Sequence, residues 1–153
     1  MSYCDLESID AIELPVGKLI QIIAKSQLLF LNNQLKMIDI NSAQFQVLYE
    51  IGNDSKINQE KIASRSITNK GAIARSISKL EENGLVERKT DENNKRQNII
   101  TLTGEGKIVL DKANEIFNEW ENRLFEDFND KHQLQVILKD LAIQSIKLYE
   151  DNR

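Results

Sequence analysis

The stretch from Ile57 to Thr103 constrains the fold of this chain more than any other. Asn58 is placed to cap a short helix in which Ile62 and Ala63 face inward. After a tight turn, Asn69 is placed to cap a second helix, because its short side-chain oxygen can accept from the unpaired amides of a first turn. Ile73, Ile77 and Leu80 then recur at helical spacing and give that helix one apolar stripe. Its end is marked by Glu81-Glu82-Asn83-Gly84, where the glycine can take the left-handed conformation that stops a helix. Leu85-Val86 begins a strand and Ile99-Ile100-Thr101-Leu102 returns it. Between them the ten residues from Lys89 to Asn98 carry no apolar side chain, so they are expected to form a projecting hairpin tip.

The second helix carries the functional argument. Away from its stripe it presents Lys70, Gly71, Ala74, Arg75, Ser78 and Lys79, with no acidic residue among them. Small, hydroxyl and cationic side chains on an anchored helix suit a DNA major groove: arginine reaches guanine edges or phosphates, and small residues let the backbone approach. Thr68, Asn69, Lys70, Gly71, Arg75 and Ser78 are the expected contacts from this helix and the turn before it. Lys95 and Arg96 at the hairpin tip are expected to enter a minor groove or touch phosphate.

Charge supports this only when it is divided. The chain carries 20 Lys and Arg against 24 Asp and Glu, a formal net charge of -4. From Ser55 to Lys107, however, eleven basic residues face seven acidic ones, leaving +4 there and -8 elsewhere. For a nucleic-acid partner the local field matters more than the total.

The ordered set Ile40-Asn41-Ser42-Ala43-Gln44-Phe45-Gln46-Val47-Leu48, Gln59-Glu60-Lys61-Ile62-Ala63, Ala74-Arg75, Lys79 through Arg88, Asp91 through Arg96 and Leu102-Thr103-Gly104-Glu105-Gly106 resembles the successive signatures of the MarR (multiple antibiotic resistance) regulators. The resemblance covers about residues 14 to 128. It implies a mainly α fold with a small β-hairpin wing: a winged helix-turn-helix over about 38–103, and a helical dimerisation region over about 1–37 and 104–153. It also implies a cytoplasmic transcriptional regulator, a repressor, that binds a palindromic operator in double-stranded DNA as a homodimer. Two positions depart from the pattern. Asn94 stands where an acidic residue usually precedes the basic pair of the wing, and Ser66-Ile67-Thr68 occupies a turn that usually holds a glycine between apolar residues.

Outside the central stretch, Pro15 suits the first turn of a long helix running to about Met37. Asn41 with Gln44 gives a capping box for the next helix, which Gly52 is expected to end. Thr103 caps a further helix whose apolar positions run from Ile108 to Phe128, and Asn129-Asp130 separates it from a last one carrying Leu134, Ile137, Leu138, Leu141 and Leu148. A small winged helix cannot cover the apolar faces of the first and last two helices, and a two-fold partner is the economical cover.

Members of the resembled family often bind aromatic or phenolic anions between the dimerisation helices and the winged part. Lys18, Gln21 and Lys25 share a face of the first helix. With Leu29, Phe45 and Leu48 they make the expected site for a small phenolic or aromatic carboxylate effector.

Other chemistries find little support. With one histidine, His132, neither a Ser-His-Asp arrangement nor a multi-histidine metal site can form. Gly104 and Gly106 lack the loop and following lysine of a phosphate cradle. No cofactor and no enzymatic activity are expected. Cys4, the only cysteine, excludes an internal disulfide, and its acidic neighbours would raise its thiol pKa, the wrong setting for an oxidant sensor. Leu14 to Ala24 is too short and too polar to span a membrane, and the acidic N-terminus is unlike a signal peptide. The alternative function is a winged-helix adaptor that binds proteins and not DNA.

Overall fold

The computed structural model describes residues 3–66, 69–91 and 98–151, with side chains from Leu6 onward. The helices are α1 (Tyr3–Ser8), α2 (Val16–Leu35), α3 (Ser42–Asn53), α4 (Gln59–Arg65), α5 (Lys70–Glu82), α6 (Gly104–Leu124) and α7 (Lys131–Glu150). Strands β1 (Val86–Thr90) and β2 (Asn98–Leu102) lie between α5 and α6. Short 3-10 turns cover Ala11–Glu13 and Lys36–Ile38. The chain divides into two compact units, 1–120 and 121–153.

In the first unit the local signals act as chemistry requires. The Pro15 carbonyl accepts from the Lys18 and Leu19 amides and so starts α2. At the far end Asp39 takes a left-handed conformation (φ 57°), and the Ile40 amide reaches back to the Leu35 carbonyl at 3.2 Å. This reverses the chain into α3, whose capping box is complete: Gln44 N–H donates to Asn41 Oδ1 and Asn41 N–H donates to Gln44 Oε1, each at 2.9 Å. Asn32 Oδ1 accepts from the Ser42 amide at 3.0 Å and ties α2 to the start of α3. Gly52 does not end α3. It lies inside the helix, where a Cβ would collide with the Leu110 side chain, so its smallness serves close packing on α6.

Helix α5 closes with a full Schellman motif. The Leu85 amide donates to the Leu80 carbonyl and the Gly84 amide to the Glu81 carbonyl, with Gly84 at φ 72°. Leu80 and Leu85, the positions whose side chains pack together in this motif, are both buried in one apolar cluster. The chain then enters the antiparallel β1–β2 hairpin, in register from Val86 opposite Leu102 to Thr90 opposite Asn98. The ladder includes Lys89, Thr90 and Asn98, which the sequence placed in the projecting tip. Backbone hydrogen bonds, which need no apolar side chain, carry the pairing that far. Ile57 joins the sheet from outside, its carbonyl accepting from the Ile100 amide at 2.9 Å.

The buried apolar residues run from Leu31 to Ala113 and form one cluster drawn from α2, α3, α4, α5, the hairpin and α6. The first half of α2 contributes none; Val16, Ile20 and Ile23 are exposed on it, and Leu28 and Leu29 are exposed beyond its midpoint.

In the second unit, Asp130 caps α7 by accepting from the Gln133 amide at 3.0 Å. Lys131 reaches Glu121 at 2.6 Å and stands 5.3 Å from the centre of the Phe125 ring. Phe128, expected on the helix now called α6, lies beyond its end. Phe128 N–H donates to the Phe125 carbonyl, and the two rings meet edge to face at 5.8 Å. Spacing of three and four residues is met by such a turn as well as by a helix. No residue of α7 is buried, although Val136, Ile137, Leu138, Leu141, Ile143, Ile146 and Leu148 lie along it.

Candidate nucleic-acid interface

Helix α5 is fixed by what it buries. Ile73, Ile77 and Leu80 are each at most 2% exposed and belong to the central cluster. Burying three such side chains contributes about 1.5–3 kcal/mol each, enough to fix the rotation of the helix about its axis. That rotation leaves Asn69, Lys70, Gly71, Arg75 and Ser78 exposed and places Ala74 between the two faces. Asn69 is already engaged as the cap: Oδ1 accepts from the Ala72 amide at 2.8 Å. Of the expected contacts, Thr68, Lys95 and Arg96 lie outside the described residues.

Among the described residues nothing makes Gly71 a folding requirement. An added Cβ would meet only Arg75 Nη1 and Asn69 Oδ1, each at 3.5 Å, an ordinary contact. Glycine inside a helix costs about 1 kcal/mol against alanine, so its presence keeps this surface low without helping the fold. Arg75 lies back along the helix toward Gly71, the direction side chains take on helices.

The fold sorts the cations near α5. Arg65 bonds Glu50 at 3.3 Å and Asp54 at 3.0 Å; Lys79 bonds Glu82 at 3.1 Å; Arg88 bonds Glu81 at 3.1 Å; Lys89 bonds Glu87 at 2.7 Å. Lys70 and Arg75 have no carboxylate partner among the described residues. The carboxyl of Asp54 sits below its ordinary value, first because the Lys56 amide donates to it and then through Lys61 and Arg65. Glu87 is likewise lowered, first by the hydrogen bond from the Lys89 ammonium.

Two features escaped the sequence reading. Arg88 on β1 reaches both helices of the motif: Nε bonds Glu81 on α5, and Nη1 donates to Gln59 Oε1 at the start of α4 at 3.4 Å. No spacing rule links residues on three elements. The second is a groove of about 270 Å³ beside α5, lined by Asn41, Gln44, Ala72, Arg75, Ser76 and Lys79. Gln44 could be read from the sequence only as a capping partner.

The residues expected to hold an effector fall into two environments. Lys18, Gln21, Lys25 and Leu29 are exposed on α2, Leu29 at 58%. Phe45 and Leu48 are buried in the central cluster, with the Phe45 ring 6.2 Å from that of Tyr49 and 6.0 Å from that of Phe117.

Comparison with known proteins agrees with this arrangement. The profile of the MarR family matches residues 40–97. The HTH-type transcriptional regulator BilQ of Clostridium symbiosum is 30% identical over 116 residues, 74% of this chain and 81% of that protein. The crystal structure of a mutant MarR from E. coli complexed with operator DNA is similar at a TM-score of 0.73 and 25% identity, over 87% of this chain and 99% of that one. CouR from Rhodococcus jostii RHA1, bound to p-coumaroyl-CoA, is similar at a TM-score of 0.78 and 25% identity, over 90% and 95%. A buried-stripe α5, a following wing and a relative of this identity and coverage lead to one conclusion: the chain belongs to the MarR family of transcriptional regulators.

Proposed function

We propose that the chain acts in the cytoplasm as a homodimeric repressor that binds double-stranded DNA at a palindromic operator. Each protomer lays α5 in a major groove and its wing in the adjacent minor groove. The observation that carries this reading is the outer face of α5, where, among the described residues, Lys70 and Arg75 stand without carboxylate partners beside a glycine whose Cβ would meet only ordinary contacts. Arg75 reads a base edge, Lys70 holds phosphate, and Thr68, Asn69, Gly71 and Ser78 provide polar contacts and close approach. Lys95 and Arg96 enter on sequence alone, arginine being suited to a narrow minor groove. Repression follows from occupancy of DNA that polymerase would otherwise use.

The homodimer is supported by the exposed apolar residues of α2 and of α7, each more than a solvated helix carries. A two-fold partner covers both and places two copies of α5 about one helical turn of DNA apart, roughly 10 bp. No helix among the described residues is long and apolar enough to cross a membrane.

The test is selection of bound duplexes from a random pool, followed by titration at several salt concentrations. A palindromic winner, with affinity falling steeply as salt rises, is the expected outcome. Absent or salt-independent binding overturns the reading in favour of a protein-binding adaptor, and a monomeric mass at micromolar concentration removes the two-fold geometry.

Release by a small aromatic anion completes the proposal. Its support is the Lys18, Gln21 and Lys25 face of α2 together with the p-coumaroyl-CoA bound to the similar CouR. The anion must favour the dimer spacing that does not fit DNA, and DNA must reciprocally weaken the anion. Aromatic carboxylates that stabilise the protein thermally but leave operator affinity unchanged refute this part.

A further inference from the structure

The groove beside α5 is assigned no role by the recognition-helix reading, and its lining is unusual. Gln44 is only 6% exposed, yet it borders an open groove. Its Oε1 is fixed by chemistry, because the Asn41 amide can only donate and therefore needs an oxygen opposite it. The Nε2 group is then the end left over, and it finds no acceptor among the described residues. No buried side-chain nitrogen or oxygen of the described residues lacks a partner, so Nε2 is not sealed from solvent, and the groove that Gln44 lines is the opening beside it. Arg75 and Lys79, four residues apart on α5, stand along the same groove, and the first turn of α3 forms its other side. Lys79 is held by Glu82 in an exposed pair, which is weak enough to exchange partners. Gln44, two cationic residues and the positive end of a helix line one opening, with no carboxylate among the lining residues.

We propose that this groove seats one backbone phosphate of bound DNA, held by Gln44 Nε2 and Lys79 and flanked by Arg75. The inference rests on the DNA-binding reading and deepens it: α3 becomes part of the interface, and Gln44 becomes a phosphate-binding residue as well as a cap. Because the contact is to phosphate, it adds affinity without sequence preference.

Gln44→Glu separates the two roles. Glutamate keeps the oxygen that accepts from Asn41 and serves equally in a capping box, so the fold is retained or slightly stabilised. It replaces the donor with a negative charge that repels phosphate. DNA affinity is expected to fall about tenfold or more, equally for selected and random duplexes, with the salt slope reduced by about 1. A neutral methylphosphonate placed at each linkage in turn should weaken the parent strongly at one position per half-site, and weaken Gln44→Glu little there. Should Gln44→Glu fail to fold, Lys79→Gln on the exposed face takes the same two measurements. Parent-like affinity and salt slope in the variant overturn the groove while leaving the DNA-binding reading intact. A parent indifferent to every neutral linkage but stabilised by inorganic phosphate also overturns it, making the groove a site for a free anion. Failure of the parent to bind any duplex overturns the underlying reading instead.

Discussion

Two glycines two residues apart at the start of α6 should respond to alanine with opposite signs. Gly106 is buried, and an added Cβ would overlap the backbone carbonyl of Leu85. Backbone cannot swing aside as a side-chain tip can, so the first turn of α6 must lift off Gly84 and Leu85. Three hydrogen bonds are anchored there. Thr103 Oγ1–H donates to the Gly84 carbonyl at 2.6 Å, Thr103 N–H donates to the Leu85 carbonyl at 3.1 Å, and Gly106 N–H donates to Thr103 Oγ1 at 3.0 Å. Losing the two that reach across to Gly84 and Leu85 costs about 1 kcal/mol each, the Thr103–Gly106 bond moving with the turn. The better helix propensity of alanine returns about 1 kcal/mol. Gly106→Ala should therefore destabilise by about 2–3 kcal/mol, allowing for overpacking. Gly104 meets nothing within 4 Å of a Cβ, so Gly104→Ala should stabilise by about 0.5–1 kcal/mol through the unfolded state. Urea unfolding followed by circular dichroism measures both, at one fixed protein concentration because self-association would make the midpoint depend on it. Thr103→Val should lower stability too, and combining it with Gly106→Ala should cost less than the two losses added, since both remove the bond from the Thr103 hydroxyl to the Gly84 carbonyl. Equal effects at Gly104 and Gly106, or a Gly106→Ala protein within about 0.5 kcal/mol of the parent, refute the close approach; the threshold is the usual scatter of surface substitutions.

Three further outcomes follow from the interface. Arg75→Ala should cost about 1–3 kcal/mol on the selected operator and relax specificity at one base pair, whereas Lys70→Ala should weaken all duplexes alike; competition titrations distinguish the two. Asp54 and Glu87 have carboxyl groups lowered from 3.8 and 4.5, so their stabilisation is present above those values and disappears as pH falls through the lowered folded ones. Asp54→Asn should be less stable than the parent at pH 7, and the gap should close on acidification below pH 4, as read from unfolding midpoints. Arg88→Met leaves Glu81 uncompensated at the end of α5 and should weaken DNA binding, and adding Glu81→Gln should recover most of the loss; no recovery would mean that Arg88 acts by touching DNA itself.

What the sequence disclosed depended on whether a feature was local. Caps at Asn41, Asn58 and Asn69, the terminating Gly84 and the stripe of Ile73, Ile77 and Leu80 each rest on residues within one turn of one another, and all appear in the structure. The exposed set Asn69, Lys70, Gly71, Arg75 and Ser78 followed because burying a stripe determines the opposite face. Features that join distant residues were not legible. Arg88 meets Gln59 across 29 positions, and Gly52 owes its place to Leu110 on another helix. Strand ends were misplaced because the ladder runs on backbone groups, which leave no mark in side-chain pattern. Gln44 shows the limit most clearly: spacing revealed its bond to Asn41, but only the packing of α3 on α5 shows that it lines a groove with Arg75 and Lys79.

The acidic total of the chain then ceases to conflict with an anionic partner. Glu81 and Glu82 occupy the end of α5 where the helix dipole disfavours negative charge, and Glu87 follows on β1. Each is bonded to a cation, through Arg88, Lys79 and Lys89 respectively. Exposed pairs of this kind contribute at most about 1 kcal/mol to stability, so stability is a weak reason for them. Their effect on the local field is larger, because a paired carboxylate presents a dipole to an approaching phosphate and an unpaired one presents a full charge. At the other end of α5 the positive dipole terminus coincides with Lys70 and, one turn on, Arg75, neither paired with a carboxylate among the described residues. At physiological salt, charges beyond about 8 Å from a phosphate are largely screened. Attraction is therefore governed by the few side chains nearest the contact, and the fold leaves those positive by pairing off the acids around them.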